Sequence, residues 1–176
     1  MSKNIKVVAI IQARHSSTRL PDKVLEELVG QPMLARVVNR TRRAALSTSP
    51  IPFEYHIHWF EEKLASDNTV ILILESDTVP VGQIRFDLDH RGNAEIDIYV
   101  ASTYRGHSLG TYVLREGAQR YVELNKERAK AVVGHIRPEN LPSCRAFEKA
   151  GFGHMGADIV HGVPLVRFVW LEGEAQ

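Results

Sequence analysis

One stretch of the sequence, residues 94–125, constrains the fold more than any other. The apolar run Ala94–Val100 leads through a basic loop, Arg105–Gly110, into the long amphipathic pattern Leu109–Asn125. This order predicts a strand, a loop with two glycines, and a helix. The first N–H groups of a helix lack partners within it and carry the positive end of its dipole. Glycines let an anion approach them, so a pyrophosphate suits this loop, although a tight connection without any ligand would have the same glycines.

The rest of the chain after residue 51 alternates between helical and extended patterns. The predicted elements, in order, are a helix at Pro52–Ala65, strands at Thr69–Glu75 and Val79–Asp87, the strand and helix already described, a strand at Ala129–Ile136, a helix at Asn140–Ala150 stopped by Gly151, and a closing hairpin of Gly153–Val160 and Pro164–Leu171. Such an order predicts an α/β fold with a mixed central sheet flanked by helices.

Length and composition are those of an ordinary soluble domain. The 176 residues fit one domain, or one domain plus an appendage. The single cysteine, Cys144, excludes a disulfide framework within the chain and favours a cytoplasmic location. The apolar run Val7–Ile11 is too short for a signal peptide or a membrane span.

The first 46 residues differ in charge from the remainder. They carry nine Lys and Arg against three Asp and Glu, whereas the whole chain has a net charge of +1. A strand at Ile5–Gln12 and a helix at Pro32–Leu46 are predicted here, and the breaker cluster Ser47–Pro50 marks a junction. The basic surplus fits either a surface for acidic ligands or a solvated helix.

The segment AEIDIYVASTYRGHSLGTYVL resembles the acetyl-CoA motif of the GNAT superfamily of N-acetyltransferases. The family pattern is Gln/Arg-x-x-Gly-x-Gly/Ala. Arg105 and Gly110 match it, whereas Ser108 stands where the first motif glycine is usual. The resemblance implies the GNAT acyl-CoA N-acyltransferase fold over residues 47–176, with acetyl-CoA as co-substrate.

A second block, HIRPENLPSCRAFEKAGF, is similar to the family's other signature, an Asn that opens a helix ending in Gly-Phe. Asn140 is also a good helix N-cap by its chemistry alone. The resemblance implies a coenzyme site made of the end of the central strand, the loop and the start of this helix. The implied cofactor-binding residues are Ile98, Tyr99, Val100, Arg105, Gly106, His107, Ser108, Leu109, Gly110, Thr111, Asn140, Ser143 and Phe147.

A third match indicates a branch of the superfamily. His56, Trp59 and Phe60 resemble a His-x-x-Trp-Phe helix found in acetyltransferases of nucleotide-linked amino sugars and in N-terminal or ribosomal-protein acetylases. His56 fits either an acceptor pocket or an ordinary surface or core position, and Trp59 and Phe60 fit core packing.

Amine acetylation needs a group that takes a proton from the amine. The candidates are His135, which lies five residues before Asn140, and Glu95 and Asp97, which alternate along one strand and therefore share a face. Each also fits a solvated strand position. Relatives often have a tyrosine general acid where this chain has Phe147, so the thiolate leaves unaided or with help from water or Tyr104.

The N-terminus resembles a different family, the cytidylyltransferases of polysaccharide precursor synthesis, of the spore-coat-polysaccharide and acylneuraminate type. The matching motifs within residues 7–45 are Gln12-Ala13-Arg14, Ser17-Thr18-Arg19-Leu20-Pro21 and Lys23, with His15-Ser16 in place of the usual Met-Gly. In the family these groups bind a nucleotide triphosphate. About 40 residues are too few for a nucleotidyltransferase, so residues 1–46 are interpreted as a truncated module supplying a strand and a helix.

Together these patterns predict an acetyl-CoA-dependent N-acetyltransferase. The expected acceptor is the amino group of a nucleotide-linked amino sugar in surface polysaccharide biosynthesis. The alternatives are an N-terminal or ribosomal-protein acetylase and a coenzyme A-binding module with weak catalysis. No metal, membrane or nucleic-acid partner is expected, and a homodimer is left open.

Overall fold

The computed structural model describes residues 5–11 by their backbone, and also residues 55, 58–59, 62–63, 65–77, 79–106 and 108–171. Within these residues seven strands form one sheet. The strands are β1 (Ile5–Ile11), β2 (Thr69–Ser76), β3 (Val79–Leu88), β4 (Asn93–Val100), β5 (Ala131–Ile136), β6 (Gly153–Val160) and β7 (Val163–Trp170). The helices are α1 (Leu109–Leu124) and α2 (Leu141–Ala150), and a short 3₁₀ turn spans Ser102–Tyr104.

The strand order in the sheet is β1-β2-β3-β4-β5-β7-β6. Tight turns join β2 to β3 and β6 to β7, so these pairs are antiparallel. The turn between β6 and β7 has both His161 and Gly162 at positive φ. Between β4 and β5 the chain instead passes through α1, and this crossover makes the two strands parallel.

The core lies between the sheet and the two longer helices. Alternate residues of the strands point to this side, among them Ile84 and Phe86 of β3, both buried. Phe86 stacks on Tyr121 of α1 with 4.3 Å between ring centroids. Gly117 lets α1 approach closely, because a Cβ there would lie 3.0 Å from Ile84 Cδ1. The helix is therefore fixed against β3, and its first turn is fixed beside the end of β4.

The parallel pair opens into a fork. β4 and β5 pair only at Asn93–Ala131, Ala94–Val132 and Glu95–Val133, although both strands continue beyond these positions. The second helix, α2, packs beside this opening. Its Phe147 ring rests on Gly134 of β5, where a Cβ would lie 2.2 Å from Phe147 Cε1. The fork thus has a buried aromatic wall on one side.

The predicted fold class is confirmed as an α/β fold with a mixed central sheet and flanking helices. The described residues between 55 and 65 are helical, as predicted, and β1 lies where a strand was expected. Other predicted boundaries between residues 69 and 171 agree within one residue, whereas β5 begins two residues late, at Ala131, because the backbone N–H of Ala129 is used by the turn that follows α1. The predicted helix Pro32–Leu46 lies outside the described residues.

Candidate active site

The loop before α1 presents backbone N–H groups to open space. The first described helical hydrogen bond runs from the Tyr112 N–H to the Ser108 carbonyl at 3.0 Å, so the preceding N–H groups have no acceptor within the helix. Gly106 has φ +87, and a Cβ added at Gly106 or Gly110 would meet nothing within 4 Å. An anion can therefore approach this first turn without steric conflict.

Ser108 adopts the left-handed conformation, with φ 56 and ψ 11, immediately before the helix. This geometry favours glycine, which explains why a glycine is usual at the matching motif position. No hydrogen bond from the Ser108 side chain caps α1. The departure from the motif thus places a non-glycine residue in a strained backbone conformation.

Three cations surround the loop. The Arg105 Nε donates to the Val100 carbonyl at 2.8 Å and ties the loop to the end of β4. Arg145 and Lys149 lie one turn apart on α2 and line the same cavity. The sequence reasoning missed both, although their spacing of four on a helix that starts at Asn140 would have placed them together.

The loop forms one side of a cavity of about 320 Å³, within the size range of small-molecule sites. Ten of the predicted coenzyme residues line it: Ile98, Val100, Arg105, Gly106, Ser108, Leu109, Gly110, Thr111, Ser143 and Phe147. Pro142, Ala146 and Leu114 add apolar surface. The cavity therefore combines a cationic, N–H-rich end with an apolar end that leads into the fork.

Two predicted coenzyme residues are placed differently. Tyr99 is 8% exposed and alternates with Ile98 and Val100, so its side chain points to the opposite face of the sheet. Asn140 lines the neighbouring cavity and caps α2 by accepting from the Ser143 N–H at 3.3 Å. His107 lies outside the described residues.

A second cavity of about 200 Å³ lies across the fork and contains all three predicted proton acceptors. Glu95 and Asp97 come from β4 and His135 from β5, so the fork brings their side chains to one face. The Nδ1 of His135 lies 3.3 Å from Glu95 Oε1. Asp97 lies 3.5 Å from Arg85 Nη1 on the neighbouring strand.

The sequence reasoning missed a second carboxylate at His135. Asp158 of β6 places its Oδ2 3.2 Å from His135 Nε2. A backbone hydrogen bond from Ile159 and the hydrogen bond from His135 together hold the pKa of Asp158 below its usual value. Only the strand order reveals this contact, because 23 residues separate Asp158 from His135 and β7 lies between their strands.

The two cavities share three lining residues: Ile98, Ser143 and Phe147. Of these, Ser143 carries the hydroxyl group, one helical turn before Phe147. Phe147 is 4% exposed and also contacts Phe152 and Phe168, so it serves the core as well as the fork. Tyr104, the alternative proton donor suggested by the sequence, is not among the lining residues of either cavity.

Trp59 of the branch motif lies beside β3, the neighbour of β4 in the sheet. The Arg85 guanidinium lies 4.7 Å from the Trp59 ring centroid, so Trp59 packs against β3 through a cation–π contact. His56 and Phe60 lie outside the described residues. Trp59 thereby has a packing role in the structure.

Two general features can be stated for the described part of the chain. None of its helices has the length and apolar character needed to cross a membrane. Among the same residues, His, Cys, Asp and Glu side chains form no group of three or more that could hold a metal ion.

Comparison with known proteins identifies two regions. Residues 8–51 match a cytidylyltransferase family model. Over 47 residues the chain is 47% identical to 3-deoxy-manno-octulosonate cytidylyltransferase of Geobacter metallireducens, which covers 27% of this chain and 18% of that enzyme. The chain spans only about a fifth of the length of the curated cytidylyltransferases that it matches.

The larger region matches acetyltransferases. YwnH of Bacillus subtilis, provisionally named a phosphinothricin acetyltransferase, is 26% identical over 121 residues, which cover 66% of this chain and 72% of YwnH. The structure of the aminoglycoside acetyltransferase AAC(6')-Ib with coenzyme A and kanamycin superimposes with a TM-score of 0.64 at 20% identity. That superposition covers 79% of this chain and 89% of the other.

The model of the acetyltransferase (GNAT) family matches residues 35–152, which hold the fork, the loop and both longer helices. This match overlaps the cytidylyltransferase match over residues 35–51. The chain belongs to the acetyltransferase (GNAT) family.

Proposed function

We propose that this protein transfers an acetyl group from acetyl-CoA to the amino group of a nucleotide-linked amino sugar. The observation that carries the transfer reaction is the meeting of the two cavities at Ile98, Ser143 and Phe147. One cavity has the cations and N–H groups that suit the coenzyme's phosphates. The other has the carboxylates and the imidazole that suit an ammonium group.

The residues of the loop fit the coenzyme. The open space above Gly106 and Gly110 would receive the pyrophosphate, and Arg105, Arg145 and Lys149 would balance its charge. The apolar end of the cavity then directs the thioester towards the fork. Holding the thioester beside the amine supplies much of the rate enhancement in such a bimolecular reaction.

The second cavity would prepare the amine. Overall, an acceptor ammonium and acetyl-CoA give the N-acetyl product, free coenzyme A and one proton. His135 takes the proton that the ammonium loses before attack and passes it to solvent through Glu95, whose side chain is 61% exposed. The second nitrogen proton is transferred to the leaving thiolate, and the Ser143 hydroxyl at the junction is placed to assist.

The acceptor class rests on two features. Glu95 and Asp97 favour a cationic amine, and Arg137 at the rim of the same cavity suits an anionic group on the same molecule. The N-terminus adds the basic residues Arg14, Arg19 and Lys23. They belong to the segment that resembles a cytidylyltransferase, an enzyme class that acts on nucleotides. We further propose that residues 1–46 are a truncated module that contributes β1 to the sheet and residual nucleotide binding to the acceptor site.

An acceptor screen tests the proposal. Thiol release from acetyl-CoA would be measured with UDP-glucosamine, free glucosamine, spermidine, kanamycin and an N-terminal peptide. We expect turnover with UDP-glucosamine that exceeds turnover with free glucosamine at least tenfold. Preference for the peptide would favour a protein acetylase, and preference for spermidine or kanamycin would favour a cationic acceptor without a nucleotide. Tight coenzyme A binding without turnover on any acceptor would favour a coenzyme-binding module.

A further inference from the structure

His135 lies between two carboxylates that approach opposite nitrogens of its ring. Glu95 Oε1 is 3.3 Å from Nδ1, and Asp158 Oδ2 is 3.2 Å from Nε2. The imidazole side chain is only 16% exposed, against 61% for Glu95 and 41% for Asp158. The ring is therefore the least accessible member of the three and is oriented by its neighbours.

The two carboxylates are not equivalent. Glu95 lines the second cavity together with His135, whereas Asp158 is not among its lining residues. Asp158 is also anchored, because its Oδ1 accepts the Ile159 backbone N–H at 2.7 Å and leaves Oδ2 for the ring. Glu95 therefore lies on the cavity side of the imidazole, and Asp158 lies behind it.

A neutral imidazole has one N–H and one acceptor nitrogen, and the hydrogen bond at one nitrogen determines the state of the other. A ring that takes up a proton must present its acceptor nitrogen to the cavity. We propose that Asp158 is a positioning residue, which accepts the Nε2–H of His135 and thereby keeps Nδ1 of the neutral ring unprotonated on the cavity side. The Nδ1–H that forms when the ring takes up a proton then donates to Glu95 across the 3.3 Å contact. This role rests on the proposed acetyl transfer, but the tautomer itself is a property of the free protein.

In the reaction, the acceptor ammonium gives one proton to Nδ1 of His135, and the ring becomes an imidazolium with Asp158 as its counter-ion. The amine nitrogen then bonds to the acetyl carbon, the carbon–sulfur bond breaks, and the thiolate takes the second nitrogen proton. His135 returns its proton to solvent through Glu95, so the tautomer is restored for the next turnover. Asp158 remains ionised throughout.

Other charged groups face this site. Asp97 of β4 is neutralised in part by Arg85 at 3.5 Å, and Arg137 of β5 lies within the same cavity. Arg167 of β7 pairs in register with His135 and lowers the pKa of Asp158 through its charge, the weakest of the contributions that lower it. The charge of Arg167 therefore helps to keep Asp158 ionised as a hydrogen-bond acceptor.

Long-range proton–nitrogen NMR spectra test the tautomer directly. The full chain would be labelled with ¹⁵N-histidine and measured at a pH where the imidazole is neutral, with the His135 signals identified by their loss in His135→Gln. We expect the Nε2–H tautomer in the unmodified protein and in Glu95→Gln. In Asp158→Asn we expect the Nδ1–H tautomer, because Glu95 then becomes the stronger acceptor. An Nδ1–H tautomer in the unmodified protein, or no change in Asp158→Asn, would overturn the proposal.

Kinetics provide the second measurement. Asp158→Asn should lower kcat at least tenfold and leave the KM for acetyl-CoA within twofold, because Asp158 is outside the coenzyme cavity. Asp158→Glu should recover part of the rate, and Asp67→Asn, in the exposed turn before β2, should not alter it. If Asp158→Asn does not fold, the tautomer of His135 in the unmodified protein still tests the proposal. If no acceptor is acetylated, the proposed function fails and the tautomer result stands separately.

Discussion

At the scale of single residues, Ser108 replaces a glycine that is usual in the acetyl-CoA motif. This replacement affects the stability of the fold and the binding of the ligand in different ways. Its φ of 56 places a side chain in a region that costs a non-glycine residue about 1–2 kcal/mol. Ser108→Gly should therefore raise the free energy of unfolding by about 1 kcal/mol, after the extra chain entropy of glycine is subtracted. Urea unfolding would measure this gain, and calorimetry should show coenzyme A binding that is equal or tighter.

Gly110 provides the matched contrast. A Cβ at Gly110 meets nothing within the protein, so Gly110→Ala should leave the fold equal or more stable, as alanine favours helices. The same Cβ would occupy the space through which an anion approaches the first turn, so coenzyme A should bind more weakly. If Ser108→Gly abolishes binding instead, the serine hydroxyl and not the backbone holds the phosphate.

These residues also show how far the sequence could predict the site. The loop residues, Asn140 and the three candidate proton acceptors could be named from the sequence, because each belongs to a local pattern or a short motif, and their roles stay predictions. Asp158 could not be named, because its contact with His135 depends on a strand order that no local pattern reveals. For Phe147, the sequence could predict only one of two features. Its missing hydroxyl is evident from the sequence, whereas its packing on Gly134 requires the structure.

At the scale of elements, a cluster centred on Asp87 joins the described helical residues between 55 and 65 to β3. Lys63 Nζ and Thr69 Oγ1 both lie 2.8 Å from Asp87 Oδ1, and Arg85 Nε lies 2.8 Å from Oδ2. Burial by itself would raise the pKa of Asp87. The charge of Arg85 and the hydrogen bonds from Lys63 and Thr69 outweigh burial and lower the pKa below 3.8.

The lowered pKa of Asp87 makes the stability of the protein depend on pH. A carboxyl whose pKa is lowered by folding stabilises the protein above its unfolded pKa, and this stabilisation is lost as the pH falls through the folded value. Asp87→Asn should lower the free energy of unfolding at pH 7 by about 2 kcal/mol, by loss of charge-assisted hydrogen bonds. Between pH 5 and pH 2 the variant should lose less stability than the unmodified protein. Thermal unfolding across this range would measure both effects.

Asp89→Asn is a useful comparison, because Asp89 accepts two backbone hydrogen bonds in the exposed turn before β4. It should not loosen the 55–65 segment, whereas Asp87→Asn should increase hydrogen exchange there. Equal exchange in the two variants would contradict the role of Asp87 in joining these helical residues to β3.

The sequence predicted these strands well, since turn residues and alternation mark their limits. It could not predict which side chains meet across β2, β3 and the helical segment.

At the scale of the whole molecule, residues 5–11 of the proposed N-terminal module belong to the same sheet as the acetyltransferase strands. The seven-residue strand β1 (Ile5–Ile11) pairs with β2, and β2 is buried along almost its entire length. Deleting residues 1–46 would therefore expose an apolar strand edge and obscure any effect on the ligand. Substitution of charges within the module is the cleaner way to separate a binding role from a folding role.

The triple variant Arg14→Gln, Arg19→Gln, Lys23→Gln removes three cations of the nucleotide motif and keeps β1. If these residues bind the acceptor's diphosphate, the KM for UDP-glucosamine should rise at least tenfold, since a charge-assisted hydrogen bond is worth about 1.5–3 kcal/mol. The KM for acetyl-CoA should not change. Arg40→Gln, Arg42→Gln, Arg43→Gln removes the same charge outside the motif and should leave both constants unaltered. Equal effects from the two triple variants would mean that the module attracts anions only by its overall charge, and no effect from either would leave it with a structural role alone.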